Sequence, residues 1–496
     1  MFDRSMIAEA WIDGSGLLIQ DIPYRDPVAA FAPWSGEPLA ALLHSAADAG
    51  GRGRFTILAV EPFRRLEASG GVVSVDGQPV DGDPFTVLHD HLASCRLTAG
   101  ADPSVLPVPF RTGAVGFLGY GLGRVLERLP CRHPDDSGLP DLLFGLYDTA
   151  IVFDERDKRG WILSSGFPER DPAARRTRAH ARLRAVADRL AAAPVLPPPA
   201  ATATATTGWR PELDRGSYER RVARVLDYIG AGDVFQANVT GRFLADRPVG
   251  LTVFDLYRRL LALSPAPFAA CLVWRDGEGQ GVGPGMGPGI GLASASPERF
   301  LCLTADGRIE TRPIKGTRPR GTTPAEDAAL AEELAGSVKD RAENLMITDL
   351  LRNDIGRVAR IGSVRVPTLC AVERFASVHH LVSVVEGRLR AGLGPVDLLR
   401  ATFPGGSVTG APKIRAMEII DEVEEARRGA YCGAIAWIGF DGAMDSSVVI
   451  RTLSVTADRV IAQAGGGIVA DSDPGREHEE MMVKIAPLLR ALDGGG

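Results

Sequence analysis

The sequence predicts an α+β fold in two domains, and three observations support this prediction. Short apolar runs bounded by turn residues, as at residues 16–19 and 55–60, are typical of strands in a mixed or antiparallel sheet. Other segments carry apolar residues at helical spacing. A low-complexity connector rich in proline, alanine and threonine occupies residues 194–208, so we place the domain boundary there, between residues 1–193 and 209–496.

The composition favours an enzyme of the cytoplasm. The 496 residues carry a formal net charge of -6 at pH 7, which gives no electrostatic reason to bind nucleic acid or an anionic membrane. No apolar run approaches the ~18 residues of a membrane span, and residues 1–10 lack the apolar stretch of a signal peptide. The six cysteines have no C-x-x-C spacing, so we expect them to pack as small core residues.

Three segments of the first domain carry local signals. The glycines of residues 111–123 lack the G-x-G-x-x-G spacing of a dinucleotide loop, so packing is their expected role and a nicotinamide-dependent enzyme is a distant alternative. Residues 148–165 predict a two-stranded hairpin. Asp171 and Pro172 predict the start of an amphipathic helix. Its many arginines predict a solvated face, because no aromatic residues alternate with them. A nucleic-acid-binding protein is the alternative.

The second domain continues with helices and strands. A helix is predicted to begin at Asp214 or Ser217, and residues 268–273 and 291–295 predict neighbouring strands. Residues 281–291 between these strands are rich in glycine and proline but lack the Gly-Lys-Ser/Thr ending of a phosphate loop. They therefore predict a hairpin tip.

Lys315 is a candidate for covalent catalysis. It follows a proline and an isoleucine and precedes a glycine, a setting that holds the side chain in place. Burial and neighbouring cations, such as Arg312 and Arg318, lower the pKa of a lysine, and only the deprotonated amine is a nucleophile. From these residues alone, a surface lysine in a Pro/Gly turn is the alternative.

Two pairs of acidic residues predict a cation site. Asp340 and Glu343 lie three residues apart in a strongly helical run, residues 325–351, and Glu477 and Glu480 lie three apart in the last helix. Each pair therefore shares one helix face. Four carboxylates with no histidine or cysteine ligand nearby suit a hard ion such as Mg²⁺, with substrate oxygens completing its shell.

Glycine-rich segments and single cations predict an anionic substrate. Residues 403–413 form a glycine-rich loop that opens a helix, whose N-terminal backbone donors favour an anion. The glycines at residues 465–467 end a strand and let a ligand approach the backbone. Arg451 lies in an apolar stretch, residues 448–453, that predicts a strand; it either forms a salt bridge or binds a carboxylate. Lys484 is expected to balance acidic charge or to bind a substrate carboxylate.

These motifs resemble the chorismate-utilising enzymes, and within them the component I chains of aminodeoxychorismate synthases. Five motifs in family order cover nearly the whole second domain, while the first domain resembles the family's N-terminal domain more weakly. The motifs are Ser296-Pro297-Glu298, Pro313-Ile314-Lys315-Gly316-Thr317, residues 339–344 with 349–354, residues 403–413 and residues 464–480.

The resemblance implies a large α+β fold in which a sandwich of two β-sheets is surrounded by helices, with a smaller N-terminal subdomain packed on it. It implies Mg²⁺ on Glu343 and Glu480, with Asp340 and Glu477 as outer or water-mediated ligands. Glu298 matches the general acid that protonates the departing C4 hydroxyl of chorismate. The positions that line the family's substrate site are Gly316, Thr317, His380, Ser407, Tyr431, Arg451, Gly465, Gly467 and Lys484.

Lys315 distinguishes two activities within this family. Anthranilate synthases carry alanine at this position and aminodeoxychorismate synthases carry lysine, so the resemblance implies amination of chorismate at C4 to 4-amino-4-deoxychorismate. Anthranilate synthase component I is the alternative. The implied route is attack of Lys315 on C2, departure of the C4 hydroxyl, and displacement of the lysine by ammonia. Relatives that add water carry a lysine where this chain has Gln236, and glutamine is not a base.

The resemblance also implies partner proteins and a second ligand. We find no nucleophile elbow of a glutamine amidotransferase and no lyase domain, so a separate amidotransferase subunit is expected to supply ammonia, and a third protein to form 4-aminobenzoate for folate. In related enzymes tryptophan occupies a pocket. In this chain His44 replaces the glutamate that is usual in feedback-inhibited relatives. The resemblance therefore implies that any bound tryptophan has a structural role. The matching pocket residues are Ser45, Arg54, Phe55, Pro267, Phe268 and Ala269.

Overall fold

The computed structural model describes residues 11–12, 16–48, 53–97, 107–199, 208–274, 289–375 and 378–493. Three predictions concern residues outside these ranges. They are that residues 1–10 do not form a signal peptide, that the connector extends over residues 200–207, and that residues 281–288 form most of a hairpin tip. They stay predictions.

Strands make up about half of the regular structure. In chain order they are β1 Trp11–Ile12, β2 Leu18–Pro23, β3 Ala40–His44, β4 Phe55–Ala59, β5 Arg64–Ser69, β6 Val72–Val75, β7 Gln78–Val80, β8 Gly113–Leu118, β9 Leu142–Tyr147, β10 Thr149–Asp154, β11 Arg159–Ser164, β12 Arg210–Pro211, β13 Gln236–Asp246, β14 Phe268–Trp274, β15 Ile290–Ser296, β16 Arg299–Leu303, β17 Arg308–Thr311, β18 Ile314–Pro319, β19 Arg365–Arg374, β20 Val378–Arg388, β21 Gly410–Ala411, β22 Ala434–Gly439, β23 Met444–Val448, β24 Thr452–Val455 and β25 Arg459–Ile468.

The helices cover the outer faces of the strands. They are α1 Pro27–Phe31, α2 Pro84–Ala93, α3 Gly123–Leu126, α4 Pro172–Ala191, α5 Arg215–Gly230, α6 Val253–Leu263, α7 Pro324–Gly336, α8 Val338–Gly356, α9 Pro395–Thr402, α10 Lys413–Val423 and α11 Pro474–Asp493. Of the helices described, none combines the length and the apolar character that crossing a bilayer requires.

The strands form two sheets, and every strand pairing in the described ranges is antiparallel. The first sheet has the order β1-β2-β11-β10-β4-β3-β14-β15-β24-β25-β13-β12, with β21 also on β13. The second sheet has the order β18-β20-β17-β16-β23-β22-β8-β9-β5-β6-β7, with β19 also on β20.

The two sheets pack face to face. Phe117 of β8 and Trp274 of β14 stack across the interface, with ring centroids 5.2 Å apart, inside an apolar core built from both sheets. Helices α4, α5, α6 and α11 pack on the outer face of the first sheet, and α2, α8 and α9 pack on that of the second. The predicted α+β fold, with two packed sheets surrounded by helices, is confirmed.

Both halves of the sequence contribute strands to each sheet. In the first sheet β3 pairs with β14, and in the second β8 pairs with β22. In each sheet the strands from before the connector form one contiguous block, and the strands from after it form the other. The predicted boundary at residues 194–208 therefore separates two stretches of sequence, and neither stretch has a sheet of its own.

Several elements form where the local sequence predicts them. β10 and β11 pair as the hairpin predicted at residues 148–165. Asp171 caps α4, and Asp214, one of two predicted caps, caps α5. The glycines of β8 serve packing, because a Cβ on Gly116 would lie 1.9 Å from the carbonyl oxygen of Leu143 on the neighbouring strand.

One local prediction is confirmed apart from a break, and one is wrong. The helical run at residues 325–351 is two helices, because Ser337 leaves the helical conformation at ψ 109° and caps α8 by accepting a hydrogen bond from the Asp340 N–H. The apolar stretch at residues 448–453 is not one strand. Arg451 lies between β23 and β24 with φ +52°, in the left-handed region rather than in the extended conformation of a regular strand.

The prediction that all six cysteines pack in the core is only partly confirmed. The buried ones are Cys95, Cys271, Cys370 and Cys432, whereas Cys302 is partly exposed and Cys131 is exposed. Small size and low polarity favour burial, but the loop that carries Cys131 lies at the surface.

Four of the six arginines of α4 are bound to the protein itself, whereas Arg176 and Arg184 are exposed as predicted. Arg178 and Arg182 contact the buried carboxylate of Asp148, at 2.8 and 3.2 Å. A guanidinium that already neutralises a carboxylate has less charge to offer a phosphate. These contacts speak against the alternative of a nucleic-acid surface on this helix.

Candidate active site

The candidate site lies where the chain crosses twice between the two sheets. Between β15 and β16 the crossing carries Glu298, and between β23 and β24 it carries Arg451. The two crossings are adjacent, since the Val448 N–H donates to the Glu298 carbonyl oxygen at 3.0 Å. Residues far apart in sequence are thereby brought to one edge of the sandwich.

Lys315 lies on β18, at the end of the second sheet. It pairs with Leu381 of β20, and the register then shifts before Thr317, so Gly316 forms a bulge. Gly316 has φ +78°, and a Cβ there would lie 2.9 Å from side-chain atoms of Asp340 on α8. The bulge therefore lets the helix that carries the first acidic pair approach the strand that carries the lysine.

The pKa of Lys315 is lowered, as the sequence predicts, but not by the predicted cations. Burial is the main cause and Lys484 adds to it, while the carboxylates of Glu343, Glu298 and Glu480 act in the opposite direction.

Arg312 and Arg318 are engaged elsewhere. Arg312 pairs with Glu373, and Arg318 pairs with Glu333 at 2.8 Å and with Asp340 at 3.1 Å. Their charge is neutralised by these partners, so the cation that faces Lys315 comes from the last helix, 169 positions further along the chain at residue 484.

Glu298 has a pKa above its ordinary value. Burial raises the pKa, and a hydrogen bond from the Ser407 side chain and the charge of Lys315 offset part of the shift. A raised pKa keeps a carboxyl group protonated over more of the pH range, and a protonated carboxyl can act as a general acid. The loop of residues 403–413, predicted to bind an anion, thus also contacts the predicted acid.

The two acidic pairs lie close enough to influence one another. Burial raises the pKa values of Glu343 and Glu477, and each feels a neighbouring carboxylate. Burial would also raise the pKa of Glu480, but its ion pair with Lys484, at 2.7 Å, outweighs burial and the pKa is lowered. Asp340 is paired with Arg318, as described above.

The four carboxylates suit Mg²⁺ by chemistry but are not gathered into a ligand cage. Their oxygens are hard ligands, and a dication would stabilise the charged forms that burial, and to a smaller extent neighbouring carboxylates, disfavour in Glu343 and Glu477. Asp340 and Glu480 already have cationic partners. Within the described ranges no three histidine, cysteine or acidic side chains lie together closely enough to hold an ion.

The far side of the site is the glycine-rich end of β25. β24 pairs with β25 only as far as Ala462, so in the described structure the following residues of β25 keep one edge free of strands. Lys484 donates to the Gly465 carbonyl oxygen at this edge, at 2.9 Å. A Cβ on Gly467 would lie 2.7 Å from Gln236 and 2.9 Å from Asn238. Backbone and amide groups are thus open to a ligand.

The other predicted substrate residues lie at or near the same place. Arg451 donates to the Lys484 carbonyl oxygen at 2.7 Å, and burial lowers its pKa. Tyr431 is buried beside the second crossing, and burial raises its pKa well above the ordinary value. Thr317 and His380 contact each other at 2.9 Å on β18 and β20.

Asn344 is a positioning residue that sequence reasoning missed. It is fully buried on α8, and its side-chain amide donates to the carbonyl oxygens of Leu381, at 3.1 Å, and Pro313, at 3.4 Å. Leu381 is the cross-strand partner of Lys315 on β20, and Pro313 lies directly before β18, two residues before Lys315. The one sequence signal was an asparagine inside a helix next to the predicted acidic pair.

A second cavity, of about 470 Å³, lies away from Lys315 between the two sheets. It is lined by all six residues predicted for the tryptophan pocket: Ser45, Arg54, Phe55, Pro267, Phe268 and Ala269. Arg54 is held by Asp154 at 2.6 Å. His44 also lines the cavity, and burial lowers its pKa, so it is a neutral group where a carboxylate was expected in feedback-inhibited relatives. Tryptophan binding stays a prediction.

Comparison with known proteins agrees with the geometry. A profile of the chorismate binding enzymes matches residues 42–490. Aminodeoxychorismate synthase component 1 of Klebsiella aerogenes is 43% identical over 95% of this chain and 98% of its own length. Anthranilate synthase component 1 of Thermus thermophilus is 40% identical over 94% and 95%. The crystal structure of anthranilate synthase component I from Streptococcus pneumoniae superposes with a TM-score of 0.74 at 32% identity, covering 88% of this chain and 92% of that one.

Proposed function

Because the chain belongs to the chorismate binding enzyme family, we propose that it is component 1 of an aminodeoxychorismate synthase, which aminates chorismate at C4. The observation that carries this choice is Lys315, a partly buried lysine whose pKa is lowered, near a carboxyl group whose pKa is raised, Glu298. A relative named as such a component is 43% identical over nearly the full length.

In the proposed reaction Lys315 is the nucleophile and Glu298 the acid. The neutral amine attacks C2 of chorismate and forms a C–N bond, while Glu298 protonates the C4 hydroxyl, which leaves as water. Ammonia then adds at C4, the bond from C2 to Lys315 breaks, and the amine regains its proton. The product is 4-amino-4-deoxychorismate, a precursor of 4-aminobenzoate and folate.

The charged residues around this pair support binding of a dicarboxylate. Arg451 and Lys484 place cationic charge at the crossing between β23 and β24. Glu343 and Glu480 would hold Mg²⁺, with Asp340 and Glu477 next to them; when bound, the ion supplies positive charge for the substrate carboxylates. Ammonia would come from a separate glutamine amidotransferase subunit, and the predicted location is the cytoplasm.

Product analysis tests the proposal. The purified chain is incubated with chorismate, ammonium chloride and Mg²⁺, and the products are separated and identified by mass. We expect an aminated, non-aromatic product without release of pyruvate. Formation of anthranilate with release of pyruvate would support the second candidate, anthranilate synthase. The observation in favour of this candidate is the 40% identity to the Thermus enzyme.

Intact-mass spectrometry tests the covalent step. With chorismate and Mg²⁺ but no ammonia, the wild-type chain should gain the mass of chorismate less one water, and Lys315→Ala should not. Lys339→Ala is the matched control, because Lys339 is an exposed lysine 4.0 Å from Glu343 on the same side of the site. An adduct of equal yield on the Lys315→Ala chain would refute the route.

A further inference from the structure

We propose that Arg428 is a positioning residue for the general acid, because it holds the loop whose Ser407 side chain hydrogen-bonds to Glu298. This inference rests on the proposed function and deepens it, since it assigns the residue that keeps the acid in place. Arg428 lies between α10 and β22, three residues before Tyr431.

Arg428 forms a buried, bidentate ion pair with Glu424. Its side chain is 1% exposed, and that of Glu424 is 7% exposed. The Nε and Nη2 atoms of Arg428 donate to the two carboxylate oxygens of Glu424, at 2.9 and 2.7 Å. A bidentate pair fixes the plane of the guanidinium as well as its position, so the remaining N–H groups point in set directions.

These N–H groups bind two backbone carbonyls. The Nη1 atom donates to the Val408 carbonyl oxygen at 2.9 Å, and the Nη2 atom donates to the Asn238 carbonyl oxygen on β13 at 3.1 Å. Val408 ends the short 3₁₀ turn Gly406–Val408 and directly follows Ser407. One buried side chain thereby joins the loop that carries Ser407 to the first sheet.

The bond to Val408 lies between two weaker or more distant attachments of the loop. From Thr409 onward the loop is bound to β13 through backbone hydrogen bonds. The Ser407 carbonyl oxygen accepts from the Asn238 side chain at 3.2 Å. The hydrogen bond from Arg428 has a charged donor, and such bonds are roughly twice as strong as neutral ones. We therefore expect Arg428 to set the position of the peptide that follows Ser407.

Ser407 transmits this position to Glu298. Burial raises the pKa of Glu298, and the hydrogen bond from the Ser407 side chain offsets part of the rise. A displacement of Ser407 would weaken this hydrogen bond, while the carboxyl group would stay buried. The pKa of Glu298 would then rise further, and the carboxyl group would no longer be oriented by Ser407.

Stability alone does not account for this ion pair. Taking two charges out of water is unfavourable, and apolar residues of similar size often stabilise a fold as well or better. Arg428 is also not available to a substrate carboxylate, because each nitrogen of its guanidinium already has an acceptor. The contribution that an apolar pair could not make is the hydrogen bond to Val408.

The pH–rate profile of the full-length chain tests the inference. The rate of chorismate consumption is measured across pH, with chorismate, ammonia and Mg²⁺ saturating at each pH, for wild type, Ser407→Ala, Arg428→Lys and the double variant. Lysine keeps the positive charge beside Glu424, but an ammonium group lacks the planar fork that binds Glu424 and Val408 together.

We expect Ser407→Ala and Arg428→Lys to change the profile in the same way. The maximal rate should fall about tenfold in each, which corresponds to about 1.4 kcal/mol, the size of one hydrogen bond. The decline in rate at high pH should move to higher pH in both, because activity that needs the protonated acid is lost as pH rises through a pKa that is now higher. The double variant should match Ser407→Ala, since both changes act through one contact.

Arg242→Lys is the matched control. Arg242 is also a buried arginine, 5% exposed, and it pairs with Glu212 and Asp136, each at 2.6 Å, rather than with the loop of Ser407. This variant should lose stability in urea unfolding and keep the decline at the wild-type pH.

A second variant covers the case in which Arg428→Lys does not fold. Arg428→Met combined with Glu424→Gln removes both charges and leaves no unpaired charge in the interior. The glutamine can still accept the hydrogen bond that the Thr240 hydroxyl donates to Glu424, at 2.8 Å. The decline at high pH should move in this variant as it does in Ser407→Ala.

Three results would overturn the inference: a decline at the wild-type pH in the folded Arg428 variants, an equal shift in Arg242→Lys, or a further shift in the double variant with Ser407→Ala. Failure of the proposed function is a different result. If Glu298 is not the acid, Glu298→Gln keeps the decline at high pH. If the product is anthranilate, consumption of chorismate still reports on Glu298 and Arg428.

Discussion

Replacing Gly316 by alanine should show that the bulge beside Lys315 is what lets α8 approach β18. The glycine has φ +78°, and moving an alanine into this left-handed region costs about 1–2 kcal/mol. Its Cβ would lie 2.9 Å from atoms of Asp340 and Leu334, closer than normal van der Waals contact, and such overpacking costs about 1–3 kcal/mol. The two contributions together predict a loss of about 2–5 kcal/mol in the free energy of unfolding.

Gly392→Ala is the control that separates the two contributions. Gly392 has φ +84° and nothing within 4 Å of an added Cβ, so this variant should lose only the backbone contribution of about 1–2 kcal/mol. Urea unfolding of both variants gives the difference. Gly316→Ala should also lower kcat by about a hundredfold, since a displacement of about 1 Å at a reacting group can have that effect.

The reasoning would be refuted by equal stability losses in the two alanine variants together with a wild-type kcat for Gly316→Ala. That result would mean that α8 and β18 have room for a side chain, and that the position of Lys315 does not depend on the bulge.

Three further predictions concern groups around the site. Glu298→Gln should lower kcat by about 10²–10⁴ and remove the decline in rate at high pH. Activity that needs the protonated acid is lost as pH rises through the raised pKa of Glu298, and a pH–rate profile measures this loss. Lys413→Met leaves the buried Asp354 carboxylate without its partner at 2.5 Å and should cost about 3–5 kcal/mol in urea unfolding, with Asp354→Asn restoring part of the loss in the double variant. Ser337→Ala removes the cap of α8 and should cost about 0.5–2 kcal/mol, against little change for the same substitution at Ser69, which is exposed at the end of β5.

Local chemistry made the elements predictable, whereas the site depends on contacts that no local pattern contains. The hairpin of β10 and β11 and the caps of α4 and α5 follow from neighbouring residues, so the sequence locates them. The pairing of β3 with β14 joins residues more than 200 positions apart, and no periodicity in either strand identifies its partner. The predicted boundary overlooked such pairings.

The same limit explains the errors within the site. The lowered pKa of Lys315 was predictable in direction from its apolar and glycine neighbours, but the predicted cations Arg312 and Arg318 face other carboxylates in the folded chain. The cation that matters, Lys484, lies on the last helix. The resemblance singles out Gln236, but the sequence does not show that its amide is buried without a partner among the described residues, because whether a buried atom has a partner is a property of the fold.

Burial is what makes both proposed catalytic groups reactive at the same pH. An exposed lysine with the ordinary pKa of 10.5 is protonated at pH 7, and an exposed glutamate with the ordinary pKa of 4.5 is ionised, so neither can act as nucleophile or acid. Removal from water disfavours both charged forms, and it lowers the pKa of Lys315 while raising that of Glu298. Their mutual attraction works against this. A site that admitted water would therefore restore the ammonium and carboxylate forms together, and the chemistry requires the two sheet crossings to keep it closed.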